Sequence, residues 1–437
     1  MEVKIPRGFR DFIPSDMILR KEVFRRIERV FQRYGFSPID TPIIEFFDIM
    51  KGKYGEEAEK KLMWRFKDPL SDKEYALRYD LTVPLARFVS MHFSEIQFPF
   101  KRYHIAPVWR HEEPQRGRYR EFYQCDADII GSSTPESDAE ILNLAIDIMK
   151  EFSFTGFKIR INDRRILREI FEKKLDLGDK LFIVYREIDK LDKIGEEGVK
   201  SSLRNARISE EKINKIMDLL KIRGNFNELD KILLGINNVN LSEPIKYINS
   251  ILDLINDKEK IEFDLSLVRG LDYYTGSIFE IFLEKPKIGS LGGGGRYDGL
   301  IGKFSRRDFP AVGISIGVER LIDAGLELGI FKKDLNSYID VYVIVLDNED
   351  RQRLFKYAYE IANRLRKEGV NTDIDVAGLS EEAQRKLASK LSAKILIFVG
   401  KKELENRRIT LYERNTKTRK EIELTDLIRE TKSMLNR

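Results

Sequence analysis

Mixed α and β structure in several domains is the class this sequence predicts, and three patterns within its 437 residues predict it. The N-terminal part interleaves helical and strand-like segments. The stretch from Ile170 to about Asp257 is charged and helical in period. The C-terminal part alternates strand with helix, the signature of a small α/β domain with a largely parallel sheet. The length exceeds one ordinary domain and can fill the cores of two to four.

In order along the chain, Met17–Tyr34 places Val23, Ile27, Val30, Phe31 and Tyr34 at helical spacing after Pro14-Ser15, and Gly35 stops it. Phe36–Glu45, punctuated by Pro38 and Pro42, reads as extended. Strands are expected over Phe100–Trp109 and Glu121–Ile130, with the polar stretch Glu113–Tyr119, containing Pro114 and Gly117, as the loop of a hairpin. Thr134-Pro135 opens a helix whose apolar face includes Leu142, Ala145 and Met149. Within the charged stretch, Ser209 precedes Ile213, Ile216 and Leu220, and Ser242-Glu243-Pro244 starts a further helix. Glycine-rich, strand-like sequence follows from Phe263 to about Ile316. Beyond Lys332-Lys333-Asp334 come strand Val341–Leu346, helix Arg351–Lys367 ended by Gly369, strand Asn371–Val376, helix Ser380–Leu391 and strand Ile395–Val399.

Composition narrows the chemistry. Hydrophobic residues are 42% and charged residues 35%, a globular rather than a disordered balance. A net charge of +5 permits a locally basic face for an acidic partner without requiring one. Cys125 is the single cysteine, which excludes a disulfide scaffold and a thiolate zinc site. His92, His104 and His111 lack metalloprotease spacing, so no protein-bound zinc is expected. No apolar run reaches membrane-spanning length, and Met1–Phe12 carries charges where a signal peptide would be apolar. The expected location is the cytoplasm, with no membrane partner.

Several windows can carry chemistry. Arg110-His111-Glu112 ends a predicted strand, with Arg118, Phe122 and Gln124 beyond the loop. An arginine and a carboxylate two apart share a strand face and suit a nucleotide, one for phosphate and one for a metal or base amine. A surface ion pair with a core phenylalanine is the plain alternative. Leu267–Gly276 sets Arg269 behind apolar residues and before Tyr273 and Tyr274. A half-buried arginine needs an anion, which a ligand or a core acid can supply. Gly292–Gly295, followed by Arg296 and Tyr297, lets backbone approach a ligand, or else marks a bulged strand. It is no Walker loop, since no Gly-Lys-Ser/Thr follows. Gly317–Arg320 puts an arginine at a strand-to-helix junction. Asp80 and Thr82 share a predicted strand face, and Asp128 lies two residues past Asp126. Isolated acids of this kind are more often solvated than functional.

Taken together, Pro42 after a helix, Arg110–Glu112 with its loop, and Gly317–Arg320 resemble the three ordered motifs of the class II aminoacyl-tRNA synthetases. Arg269–Tyr274 and Gly293–Leu300 are similar to the two motifs that distinguish the histidyl-tRNA synthetases within that class, and Leu77–Thr82 matches them as well. The resemblance covers the whole chain. It implies an α+β catalytic domain, an antiparallel sheet flanked by helices, over residues 1–330, interrupted by a helical insertion at 170–257. A linker at 331–339 and a C-terminal α/β anticodon-binding domain at 340–437 follow. It further implies a homodimer through the Phe36–Glu45 region, with ATP and its Mg2+, histidine and tRNA(His) as ligands. By the same resemblance Arg110 and Arg269 hold the α-phosphate as catalytic cations, Arg118 reaches the terminal phosphates, and Glu112 takes the adenine edge or magnesium. Phe122 and Arg320 sandwich the adenine. Asp80, Thr82 and Gln124 bind the amino group. Asp128, Tyr274 and Tyr297, beside Arg269 and Tyr273, line the histidine pocket, and Gln115 and Arg116 face the tRNA acceptor end. Some relatives carry Glu where this chain has Asp80 and Asp128.

Two other classes fit part of the pattern. A catalytically inactive paralogue, serving as a regulatory subunit, would retain the core but commonly lose the C-terminal domain and the phosphate-binding arginines, whereas Arg110, Arg118, Arg269 and Arg320 are all here. The other is a synthetase of the same class for threonine, proline or glycine; a threonine enzyme would want zinc ligands that one cysteine and three histidines supply poorly, and the Arg269–Tyr274 window argues for histidine.

Overall fold

The computed structural model describes residues 2–51, 54, 58–226, 232–234, 236, 239–268, 273–346 and 350–436. Internal contacts divide the chain into two units, one of residues 1–10 with 23–331, the other of residues 11–22 with 332–437.

Helix Pro14–Arg33, which belongs to the first unit from Val23 onward, ends where Gly35 turns with φ +75°, and Val23, Ile27, Val30 and Phe31 form its buried stripe there. In the same unit, after β1 (Ser37–Pro38), the chain makes a small antiparallel sheet of β2 (Ile44–Phe46), β3 (Arg65–Lys67) and β4 (Glu74–Leu77), in the order β2-β4-β3. Helix Thr82–His92 follows. The main sheet then takes β5 (Phe100–Trp109), β6 (Glu121–Ile130), β7 (Phe157–Asp163), β8 (Arg223–Gly224), β9 (Ile261–Asp264), β10 (Ser277–Leu283), β11 (Gly292–Arg296) and β12 (Ala311–Gly317). Its order is β1-β5-β6-β12-β11-β10-β7-β9-β8. From β5 through β7 every neighbouring pair is antiparallel, and the parallel pairings, β1 with β5 and β7 with β9, lie toward its edges.

Helix Pro135–Glu151 buries Ile141, Leu142, Leu144, Ala145, Ile148 and Met149, and closes one side of the core. Between β7 and β9 stand helices Leu181–Ile188, Leu191–Asn205, Glu210–Leu219 and Ser242–Asp253. The Ser209 hydroxyl caps Glu210–Leu219 by accepting from the Lys212 amide.

The second unit holds β13 (Val341–Val345), β14 (Thr372–Ile374), β15 (Ile395–Val399), β16 (Arg408–Glu413) and β17 (Thr418–Glu423), in the order β14-β13-β15-β16-β17. Helix Arg351–Lys367 packs on it through Leu354, Ala358, Ile361 and Leu365. The sheet is mixed rather than largely parallel. The pairings β14–β13 and β13–β15 are parallel, while β15–β16 and β16–β17 form an antiparallel meander. The outer strand β17 buries only Ile422 and exposes its charges, which suits an edge.

Candidate functional site

A cleft of about 320 Å³ opens on the main sheet, floored by β6, β11 and β12 and walled by the β5–β6 loop and the residues after β4. Pleating aims alternate residues of β6 into it: Phe122, Gln124, Asp126 and Asp128. Across the same face of β5 they meet Val108, Ala106, His104 and Arg102.

The Asp128 carboxylate lies against Tyr297, whose hydroxyl donates to Oδ1, and its Oδ2 is 2.6 Å from Arg102 Nη2. Burial pushes Asp126 up to about 7, with Arg102 pulling the other way. Burial also raises Asp128, again opposed by Arg102 and then by the Tyr297 hydroxyl. Gln124 Nε2 donates to Ser315 Oγ at 2.7 Å. Gly313 faces Asp128 across the β6–β12 pairing, and a Cβ there would fall 1.9 Å from Asp128 Oδ1. Tyr273 and Tyr274 stand edge to face with ring centroids 4.7 Å apart. The glycine run is neither a loop nor a bulge. It is the central strand β11, and a Cβ at Gly294 would fall 2.0 Å from the Gly313 carbonyl oxygen.

Two expectations about local structure are corrected. Asp80 and Thr82 do not share a strand, because β4 ends at Leu77 and Thr82 begins a helix. Asp80 Oδ1 accepts from the Thr82 and Val83 amides at 3.2 and 3.1 Å and from the Tyr54 hydroxyl at 2.7 Å, satisfying the open N-terminal N–H groups. Burial nonetheless raises its carboxyl above the usual range. Arg110 and Glu112 likewise lie beyond the end of β5 at Trp109. Both still line the cleft.

Arg110 donates Nε to the Tyr79 carbonyl at 3.1 Å, and its guanidinium lies 4.5 Å from the Tyr79 ring and 5.2 Å from the Phe122 ring. Arg118 is paired with Glu112, Nη2 to Oε1 at 2.9 Å. Arg320 donates Nη1 to the Ser290 carbonyl at 2.8 Å and Nε to the Gly117 carbonyl at 3.2 Å, which fixes its plane over the mouth of the cleft. Gly117 turns the β5–β6 loop at φ +69°, and a Cβ there would meet Arg320 Cγ at 2.9 Å. Gln115 and Arg116 are exposed at the tip of that loop and outside the cleft lining, with Arg116 paired to Glu327.

The cleft therefore gathers Asp80, Thr82, Arg110, Glu112, Arg118, Phe122, Gln124, Asp128, Tyr273, Tyr274, Tyr297 and Arg320 from separate windows of the chain. Arg269 lies outside the described residues. Sequence reasoning noted Asp126 beside Asp128 but gave it no role, although the alternation through Phe122, Gln124 and Asp128 puts it on the same face. It also missed Ser315 and Arg102, for which a lone serine and a lone arginine in apolar strands give no signal.

Cations and aromatic rings at the mouth and carboxylates at the back make a cleft able to hold a nucleotide beside a small cationic molecule. On an antiparallel sheet, in a chain that also carries a separate five-stranded unit, this is the architecture of a class II aminoacyl-tRNA synthetase. The family described as histidyl-tRNA synthetase matches residues 8–321, and the anticodon binding domain family matches 340–434. The chain is 52% identical over 98% of its length to a histidine–tRNA ligase from Korarchaeum cryptofilum, covering 99% of that protein. To one from Aeropyrum pernix it is 53% identical over 93% of its own length and 92% of the relative's. The crystal structure of histidyl-tRNA synthetase from Nostoc superposes with a TM-score of 0.81 at 29% identity, over 99% of each chain. The chain belongs to the histidyl-tRNA synthetase family.

Proposed function

We propose that this cleft activates histidine with ATP and that the resulting histidyl group passes from it to tRNA(His). Family membership gives the overall reaction, histidine–tRNA ligation. The single observation that carries the assignment of the site is the convergence on one cleft of phosphate-seeking arginines with buried imidazole-seeking acids. In the first step a histidine carboxylate oxygen attacks the α-phosphorus. The bond to the bridging oxygen breaks, and its electron pair leaves with pyrophosphate. Little covalent work falls to the protein, so its share is positioning and fixed positive charge.

Arg110 and Arg269 take the α-phosphate in this reading, Arg118 the outer phosphates, and Phe122 and Arg320 the two faces of the adenine. Glu112 suits a single carboxylate ligand to a phosphate-bound magnesium, which needs few protein donors. Asp80, Thr82 and Gln124 take the substrate amino group. Asp128, with Tyr274 and beside Tyr273 and Tyr297, faces the imidazole. In the second step the terminal tRNA hydroxyl attacks the carbonyl carbon and AMP leaves. Exposed Gln115 and Arg116 lie where an acceptor end could be touched, and 340–437 is the anticodon-reading part.

The domain limits 1–330, 170–257, 331–339 and 340–437 are retained as the functional division. A second copy of the chain is the natural cover for Ile43, Ile44, Phe46 and Phe66, exposed apolar residues on and beside the small sheet near the Phe36–Glu45 region. No helix among the described residues is long and apolar enough to cross a membrane.

The test is ATP–pyrophosphate exchange across a panel of amino acids. Histidine should support it, and phenylalanine and leucine should fail by about four orders of magnitude or more, because they strand buried polar groups. Exchange with threonine or proline and none with histidine would overturn the reading. Histidine binding with no exchange at all would favour a regulatory paralogue.

A further inference from the structure

We propose that Arg102, which lies beneath the cleft rather than in it, is a positioning residue for amino-acid choice: it favours the charged form of Asp128 and holds that carboxylate aimed at the imidazole. The inference rests on the reading of Asp128 as the group that faces the imidazole.

Arg102 sits on β5 opposite Asp128 on β6, on the strand face it shares with His104 and Asp126. It is 0% exposed, and its Nη2 is 2.6 Å from Asp128 Oδ2. Among the described residues, none of its three guanidinium nitrogens has a well-aligned hydrogen bond, and neither does Asp128 Oδ2 or Asp126 Oδ1.

A structural arginine on the same sheet looks different. Arg296, also buried, donates to Asp138, to the Ser132 and Thr134 carbonyls and to the Ser137 hydroxyl, so its fork is used up in bracing. Among the described residues Arg102 has no such set of bonds, only the Asp128 carboxylate, which lines the cleft. A buried guanidinium is costly without an anion, and buried carboxylates are costly without a cation.

The groups that face the acid pair come from five elements. They are Arg102 and His104 on β5, Gln124 on β6, Ser315 on β12, Tyr297 after β11, and Asp80 before helix Thr82–His92. His104 is held neutral, because burial lowers it to about 4. Asp80 repels the pair. Arg102 is thus the positive charge that opposes burial of both acids. Without it Asp128, desolvated and beside a second carboxyl, would keep its proton to higher pH. A protonated carboxyl no longer attracts a cationic or N–H-donating ring, and the pocket would lose its preference for imidazole.

The measurement is histidine-dependent ATP–pyrophosphate exchange of the full chain between pH 6 and 9, with KM for histidine and for ATP taken separately. Arg102→Met should raise the histidine KM by about 30-fold or more at pH 7, the scale for stripping one partner from a buried charge pair, and the ATP KM by no more than about threefold. Removing a cation raises the acids' pKa values, so the acid limb of the histidine KM profile should move upward and the defect should shrink toward pH 9. A general loss of structure would not follow pH in that way. Arg102→Lys keeps the charge on a shorter, single-pronged group and should fall between the two, so it carries the test if the methionine variant does not fold. A wild-type histidine KM with an unmoved acid limb in either variant, or equal rises in both KM values, would overturn the inference. Asp128→Ala is measured beside them. If it too leaves the histidine KM unchanged, the reading of the pocket fails along with this inference, whereas an impaired Asp128→Ala with a silent Arg102→Met refutes only the role of Arg102.

Discussion

Gly313→Ala is a one-carbon change at the back of the cleft, and the structure gives its size. The added Cβ would stand 1.9 Å from Asp128 Oδ1, 2.4 Å from Asp128 Cγ and 3.0 Å from the Ala127 carbonyl oxygen. The carboxylate must therefore retreat by more than about an ångström, since carbon–oxygen contacts below roughly 3 Å are repulsive. It has no free direction, with Tyr297 on one oxygen and Arg102 on the other. A misplacement of about an ångström at a substrate-orienting group costs on the order of 100-fold. The loss should fall on the histidine KM, because the residues assigned to ATP are at the mouth of the cleft. Pyrophosphate exchange with each substrate varied in turn checks this, with Gly156→Ala as control, whose Cβ would meet nothing closer than 4.0 Å. A Gly313→Ala enzyme with wild-type histidine KM would refute both the packing argument and the assignment of Asp128.

Arg269→Ala should lower adenylate formation by about two to three orders of magnitude, the scale for a preorganised charge donor, while histidine binding falls less; near-normal exchange would move Arg269 to a bracing role. Deleting Asp340–Arg437 should depress tRNA charging far more than adenylation, and equal losses in a folded protein would count against an anticodon-reading role for that part. His104 should shape acid stability. Burial lowers it from 6.5 to about 4, so between those values the unfolded chain takes up a proton that the folded chain refuses. Falling pH therefore favours unfolding through that window, by up to about 1.4 kcal/mol per pH unit. His104→Gln should flatten the decline in denaturation midpoint between pH 6.5 and 4.5, and an unchanged slope would refute the assignment.

Much of the frame was legible in the residues themselves. Strands β5 and β6 run over the expected Phe100–Trp109 and Glu121–Ile130, because the polar hairpin loop between them marks their inner ends. Helix Arg351–Lys367 and strand β15 also match, since one has an unbroken apolar stripe and the other is buried on both faces. The hairpin β16–β17 escaped notice because its outer strand is almost wholly charged, so burial of Ile422 is the one trace of its inner face. Asp80 misled for a different reason. An acid and a hydroxyl two apart read as a strand face, whereas Asp80 completes the first turn of a helix three residues beyond β4. The gathering of these windows into one cleft depends on strand order, and the order β6-β12-β11 is set by long-range pairing that no local pattern encodes. Arg102 is the extreme case, since its meaning lies wholly in what stands across the strand.

Arg118 and Glu112 hold each other across the mouth of the cleft, and with the roles proposed for them that pairing would make nucleotide entry an exchange of counterions. A bare triphosphate reaching Arg118 would have to evict a carboxylate and leave it beside fresh negative charge. A triphosphate arriving with magnesium brings a replacement for each partner at once, phosphate oxygen for the guanidinium and metal for the carboxylate. With the roles proposed for Arg118 and Glu112, the closed ion pair would favour the metal-loaded nucleotide over the free anion at equal concentration.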